Sequence, residues 1–437
     1  MTDARVLRAE IAVVGAGPAG IAAAVRAAER GARVVLVDEG LAAGGQIWRH
    51  GPGTRSPRAA RRWLRRLGES GVPVLPGASV VDAVAPGETA DRVGVRLVVE
   101  QGGAALVVEA GALIVATGAR ELFLPFPGWT LPGVVGVGGA QALVKAGARV
   151  KGLRAVVAGS GPLLLPVAAA LARAGARVEL LAEQAPPARV RRFAASLWRS
   201  PARLVAAAGY RLAALRAPYA RGTWVVRAEG EGTLREAVLT DGRRQRTERC
   251  DLLCVGYGLI PAVELPRLLG CRLRGRAVAV DAFQRTSVRG VYGAGEPTGV
   301  AGLEAALLEG EIAGLAATGR EAEARALFPA RSACHAFARR LDEAFALRAE
   351  VKALAREDTI ICRCEDVTFG AVREHGSARE AKLFTRAGMG ACQGRICGAA
   401  LRELLGWDYD TARAPLVPAA VGTLIESGME PEGAADE

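Results

Sequence analysis

Four of the eight cysteines fall within 36 residues, arranged as Cys362-Arg363-Cys364, a gap of 27 residues, and Cys392-Gln393-Gly394-Arg395-Ile396-Cys397. The other four, Cys250, Cys254, Cys271 and Cys334, are scattered through the body of the chain. Met1 to Glu10 mixes both charges and leads directly into a strand pattern, so no targeting peptide is expected. In a reducing compartment, clustered cysteines point to metal or redox use rather than to disulfides. Four thiolates form the ligand set of a [2Fe–2S] cluster. The CxC pair places two sulfurs on one short loop, and Gly388, Gly390 and Gly394 let the second loop fold around the metals. A structural zinc is the alternative occupant of four cysteines, although zinc passes no electrons. Cys250 and Cys254, spaced CxxxC on an expected strand, read as core residues.

A second chemistry lies in the turn Gly15-Ala16-Gly17-Pro18-Ala19-Gly20. It sits between an apolar strand, Ile11–Val14, and an alanine-rich helix, Ile21–Arg30; a second strand, Val34–Val37, then ends at Asp38. This is the dinucleotide fingerprint in the context that it requires. Gly15 permits the tight turn, Gly17 lets a pyrophosphate approach the backbone, and Gly20 lets the helix pack close to the strand. The helix N-terminus then presents its partial positive charge to the phosphates. Asp38, with Glu39 as its alternate, is placed to accept from a ribose hydroxyl. The occupant suggested is FAD, with NAD or ATP as alternatives.

The turn recurs at Gly159-Ser160-Gly161-Pro162-Leu163-Leu164, between strands expected at Ala155–Ala158 and Val178–Leu181. Leu164 stands where the third glycine belongs and is expected to push the helix off the strand. This second fold is either a real NAD site or a ligand-free scaffold. The apolar stretch Ala155–Ala172 is long enough to raise the question of a membrane span. Gly159, Gly161 and Pro162 interrupt it, and the pattern is strand–turn–helix.

These elements imply an α/β architecture: two interleaved Rossmann-like dinucleotide-binding domains plus a small C-terminal α-rich [2Fe–2S] domain. The expected boundaries are 1–149 with 261–322 for the first, discontinuous domain and 150–260 for the second. A helical linker follows at 323–355, the iron–sulfur module at 356–412 and a tail at 413–437, acidic from about Met429. The formal charge of +12 is concentrated in arginines, most densely at Arg55, Arg58, Arg61, Arg62, Arg65 and Arg66. Only Trp63 accompanies that cluster, so it reads as a solvated helix face and not as a nucleic-acid surface. With only His50, His335 and His375 in the chain, chemistry that needs several histidines is excluded.

Gly44-Gly45-Gln46, Ala116-Thr117-Gly118 and Gly293-Ala294-Gly295-Glu296, with the paired turns, resemble the two-dinucleotide-binding flavoproteins. In that superfamily the last motif usually ends in Asp, which reaches the ribityl chain of FAD; here it is Glu296. The resemblance narrows at Gly118-Ala119-Arg120-Glu121, Pro125-Phe126-Pro127-Gly128-Trp129, Leu131-Pro132-Gly133-Val134 and Val255-Gly256-Tyr257-Gly258. Together with the cysteines, these look like the α-type subunit of hydrogen cyanide synthase, opine oxidase and D-hydroxyproline dehydrogenase complexes. The cysteine segment itself resembles the bacterioferritin-associated-ferredoxin-like [2Fe–2S] domain.

The resemblance implies FAD held by Gly15, Gly17, Pro18, Ala19, Gly20, Asp38, Glu39, Gly45, Gln46, Ala116, Thr117, Gly118, Gly295 and Glu296. It implies a cluster on Cys362, Cys364, Cys392 and Cys397, and it leaves room for an FMN shared at a subunit interface. The function implied is electron transfer, from flavin to cluster, within a dehydrogenase that oxidises the C–N bond of a D-amino acid, hydroxyproline or opine. The implied partners are a small ferredoxin-like subunit and a D-amino-acid-oxidase-like flavoprotein subunit. The expected location is the cytoplasm, with peripheral contact at the inner membrane left open. Two rival readings stand beside this: a self-sufficient NAD(P)H-dependent reductase and a structural nucleotide-binding scaffold.

Overall fold

A computed structural model describes residues 5–49, 57–87, 94–408 and 412–426, with the Arg199 side chain omitted. His50, Arg55 and the acidic tail from Met429 lie outside the described residues. The first unit runs β1 (Arg5–Val14), α1 (Pro18–Ala28), β2 (Val34–Val37), α2 (Arg58–Glu69), β3 (Val74–Leu75), β4 (Ala78–Val84), β5 (Val95–Gln101) and β6 (Ala104–Val115). Its sheet has the order β3-β2-β1-β6-β5-β4. The last four residues of β1 are apolar and buried, as a strand covered on both faces requires. β6 is long and has two roles. Ala104–Ala110 pairs antiparallel with β5, and Leu113–Val115 pairs parallel with Val291–Gly293, which returns from far down the chain. That pairing makes the first unit discontinuous. On α2, Ala60, Trp63 and Leu67 face inward, and the Arg66 guanidinium lies over the Trp63 ring while pairing with Glu29.

The second unit contains β7 (Val134–Gly136), α3 (Val137–Lys145), β8 (Arg154–Gly159), α4 (Leu164–Arg173), β9 (Arg177–Glu183), α5 (Pro201–Ala213), β10 (Tyr219–Arg221) and β11 (Leu252–Gly256). Its sheet is parallel throughout, in the order β10-β9-β8-β11-β7. Because β7 bonds to β11, the expected boundary at 149/150 falls inside this unit, and the second fold opens near Leu122. The motif at 118–121 explains the crossover. Ala119–Glu121 pairs with Leu259–Pro261, Arg120 pairs with Glu264, and Glu121 accepts from the Gly138 and Gly139 N–H groups at the start of α3.

The chain then returns to the first unit. α6 (Leu303–Ala317) packs on α1 so closely that a Cβ on Gly310 would lie 2.1 Å from the Ala19 carbonyl oxygen. α7 (Phe328–Ala344) leads towards the cysteine module. Glu403 in the module's last helix is paired with Arg276 and Lys352, fastening the module to the body. Residues 412–426 fold back onto the first sheet. The Leu416 N–H donates to the Val81 carbonyl, and the Glu100 carboxylate accepts from the Ala420 N–H and the Thr423 hydroxyl.

Candidate functional site

The first glycine turn is built from close approaches. A Cβ on Gly20 would stand 1.8 Å from the Gly15 carbonyl oxygen, so only glycine lets α1 settle on β1. Gly17 differs: nothing lies within 4 Å of where its Cβ would be, and no side chain caps the α1 N-terminus beside it. An uncapped helix start facing open space is a cradle for an anion. The Asp38 carboxylate accepts from the Ala16 and Gly40 N–H groups, which fixes its place beside the turn, whereas Glu39 is exposed. The Gly44–Ile47 loop reaches the same turn. The Gly44 N–H donates to the Ala16 carbonyl, and Lys145 Nζ holds the Ile47 carbonyl at 2.9 Å from the end of α3. Gly45 abuts Gly17, and Gln46 is exposed.

Ala116, Thr117 and Gly118 continue from β6, and the Thr117 hydroxyl donates to the Ala262 carbonyl. Gly295 lies against Ala19, so the turn at 15–20 and the motif at 293–296 share one mouth. Behind this loop stands Glu309, 1% exposed in the middle of the apolar helix α6. One of its oxygens accepts from the Gly295 N–H and the Thr298 hydroxyl, both at 2.8 Å. The other lies 2.7 Å from His335 Nε2 on α7. Burial, and then the charge of Glu309, push the Glu296 carboxyl above its ordinary range. Glu309 was absent from the expected site residues. Carboxylates interrupt the otherwise apolar run 303–317 at Glu304, Glu309 and Glu311, and that was the signal that could have found it.

The second turn has a different outcome. Leu164 does not lever the helix away. It is buried at the start of α4, which begins two residues later relative to its turn than α1 does. The Glu183 carboxylate, fully buried at the end of β9, accepts from the Gly161 and Ala185 N–H groups at 2.8 Å each. Burial pushes this carboxyl up to about 7. The chain's own linker crosses the mouth, although nothing lies within 4 Å of where a Cβ on Gly161 would be. The Ser160 hydroxyl donates to the Phe345 carbonyl at 2.7 Å, Gln184 Nε2 donates to the Ala346 carbonyl, and the Arg348 N–H donates to Gln184 Oε1. Phe345 stacks edge-on to Phe193, and the Arg348 guanidinium lies over Trp224.

The four clustered cysteines converge as two contacting pairs, Cys364 with Cys392 and Cys362 with Cys397. Among the described residues, no three metal-ligating side chains close on a single point as one ion needs. Two pairs suit a two-iron cluster better than they suit one zinc. Cys362 and Cys397 are buried, Cys364 is exposed and Cys392 is half-buried, so one edge of the set faces outward. Gly388 N–H points at Cys362 Sγ, and a Cβ on Gly390 would stand 2.2 Å from that of Cys364. Cys250 and Cys254 are both buried and face different cores, so they form no redox pair. Burial pushes Cys250 up to about 12 and Cys254 higher.

The fold and sites define a flavoprotein body with an iron–sulfur module. Residues 9–310 match the pyridine nucleotide-disulphide oxidoreductase family, and residues 360–407 match the BFD-like [2Fe–2S] binding domain. The chain is 34% identical to an opine oxidase subunit of Rhizobium meliloti, over 95% of this chain and 98% of that one. It is 36% identical to hydrogen cyanide synthase subunit HcnB of Pseudomonas aeruginosa, over 88% and 90%. It shares its fold with L-proline dehydrogenase from P. horikoshii, with TM-score 0.70 and 21% identity, over 97% of this chain and 81% of that one. The chain therefore belongs to the oxidoreductase-subunit family that includes HcnB and this opine oxidase chain. Its cofactors are FAD and a [2Fe–2S] cluster. No helix among the described residues is long and apolar enough to cross a membrane.

Proposed function

We propose that this chain is the electron-transfer subunit of a multi-subunit dehydrogenase that oxidises a C–N bond in a D-amino acid, hydroxyproline or opine. In this reading Gly15, Gly17, Pro18, Ala19 and Gly20 face the pyrophosphate of FAD, and Asp38 faces a ribose. Gly45, Gln46, Ala116, Thr117, Gly118, Gly295 and Glu296 lie along the remainder, with Glu309 positioning the Gly295 loop. Cys362, Cys364, Cys392 and Cys397 hold the cluster. When bound, the flavin supplies two-electron chemistry and the cluster one-electron transfer. A D-amino-acid-oxidase-like partner binds the substrate, and this chain keeps the cofactors ordered and dry.

The observation that carries the proposal is the linker laid across the second turn. Residues 345–348 hydrogen-bond to Ser160 and Gln184 at its mouth, although Gly161, like Gly17, has open space where a Cβ would stand. A self-sufficient NAD(P)H reductase needs that second site open. The test is anaerobic stopped-flow mixing of the purified flavin-loaded chain with NADH and NADPH. No flavin bleaching is expected on the timescale of turnover by the complex. Rapid bleaching by either nucleotide would favour the reductase.

A further inference from the structure

Packing alone does not account for Glu309. It is buried on α6 among apolar neighbours of the same helix, Ala305, Ala306, Ile312 and Ala313. A carboxylate taken out of water destabilises a fold unless its oxygens are answered, and an apolar side chain of similar size would fill the same space at less cost. Glu309 is answered from two directions. Towards the mouth, one oxygen meets the Gly295 N–H and the Thr298 hydroxyl, and that hydroxyl also lies 2.8 Å from the Gly295 carbonyl. Towards the surface, the other oxygen meets His335 Nε2 at 2.7 Å. The His335 side chain is 37% exposed, so it joins the buried carboxylate to solvent. Arg331, one turn earlier on α7, is directed elsewhere, to the Ala282 carbonyl and Gln284 Oε1.

The loop in front of Glu309 needs such a fastening. Gly295 and Gly299 take φ of 77° and 138°, and a glycine backbone has no side chain to select one such conformation over another. The position of the fastening matters as well. A Cβ on Gly295 would lie 2.7 Å from that of Ala19, and Gly310, the residue after Glu309, abuts the Ala19 carbonyl. The carboxylate therefore stands behind the point where the 293–299 segment and the first glycine turn meet. Its charge is felt at the mouth: burial, and then Glu309, push the Glu296 carboxyl up.

We propose that His335 is a positioning residue for the flavin: its Nε2–H donates to Glu309, and through that carboxylate it locks the 295–299 loop against the mouth that receives the cofactor. A donor on the outer oxygen fixes the rotation of the carboxylate. The inner oxygen then keeps its lone pairs for Gly295 and Thr298. Without the donor, the outer oxygen is a buried acceptor with nothing to accept from, and the carboxylate turns or takes up a proton. The same helix that carries His335 ends at Ala344, beside Phe345 of the linker that crosses the second turn. The flavin loop is thereby tied to the segment that leads to the cysteine module. The proposal rests on the assignment of this mouth to FAD and adds a residue that acts through another.

The test is the rate at which flavin leaves the full-length, cofactor-loaded chain, followed by the recovery of flavin fluorescence on dilution. The visible circular dichroism of the bound flavin is the second readout. His335→Leu should speed release about tenfold and change the dichroism, as expected for the loss of a hydrogen bond to a charged group. His335→Gln offers an amide donor of similar size and should return the rate to within about threefold of wild type. Leu and Gln fill comparable space, so a packing role for His335 would not separate them. In a Glu309→Met background His335→Leu should have no further effect, because the two side chains act as one unit. The proposal is overturned if His335→Leu releases flavin at the wild-type rate, if His335→Gln is as fast as His335→Leu, or if the two substitutions add in full. Gly17→Val separates the two levels of the argument. Flavin retained in Gly17→Val removes the FAD assignment and the proposal with it. Flavin lost there, beside wild-type release from His335→Leu, removes the proposal alone.

Discussion

Trp129 Nε1 donates a 2.6 Å hydrogen bond to the carbonyl of Ile360, two residues before Cys362. The donor belongs to the second dinucleotide fold, and the acceptor lies on the strand that delivers the first cysteine pair. Trp129 is 4% exposed and its ring lies 4.9 Å from that of Phe123. The cysteine module is thus pinned to the flavoprotein body by a residue of the 125–129 motif.

Removing this bond tests the pin. Trp129→Phe keeps most of the buried ring and leaves the Ile360 carbonyl without its donor, at a cost of about 0.5–1.5 kcal/mol. Flavin and iron content should persist, while limited proteolysis between the body and the module accelerates. Unchanged protease resistance would show that Glu403 and its two cations suffice.

Gly17→Val separates fold from ligand. The space beside Gly17 is open, so the side chain has room in the unliganded protein. It would, however, occupy the volume assigned to the pyrophosphate. The variant should fold with ordinary thermal stability and contain no flavin. Full FAD occupancy in Gly17→Val would mean that the cofactor lies elsewhere.

Glu183 gives the second fold a pH signature. Burial holds its carboxyl up to about 7, against an ordinary value of 4.5. Between those values the folded chain keeps a proton that the unfolded chain has lost. The stability from this site is therefore fully present below about pH 4.5 and drains away as the pH rises through 7. The whole shift corresponds to about 3 kcal/mol. Glu183→Gln cannot ionise and should flatten the stability curve between pH 5 and 7, measured by denaturant titration. A wild-type curve that rises over this range, relative to the variant, would show that the Gly161 and Ala185 hydrogen bonds outweigh burial.

Much of this was legible in the sequence where a local requirement dictated the residue. Gly15 and Gly20 announced a turn because no side chain fits there, Gly17 because a pyrophosphate needs its open space, and Asp38 sits where the strand after such a turn must end. The cysteine spacing announced the module. What stayed hidden depends on distant partners. β7 is three residues long and becomes a strand only by pairing with β11, so the domain boundary was set too late. Residues 345–348 read as part of a helical linker but leave the helix, because their role is defined by Ser160 and Gln184, more than 160 residues away. Leu164 was expected to disturb the second fold; a two-residue delay in starting α4 buries it instead.

The central claim is that this chain relays electrons and does not bind the reducing substrate. It is tested most directly by assaying the isolated, cofactor-loaded chain with an artificial dye and a panel of D-amino acids, hydroxyproline and opines, beside the complex purified with its partner. The lone chain should show no turnover. The complex should turn over, and Cys362→Ala in the complex should stop dye reduction while substrate still bleaches the partner's flavin. Turnover by the lone chain at the rate of the complex would contradict the account and place the substrate site here.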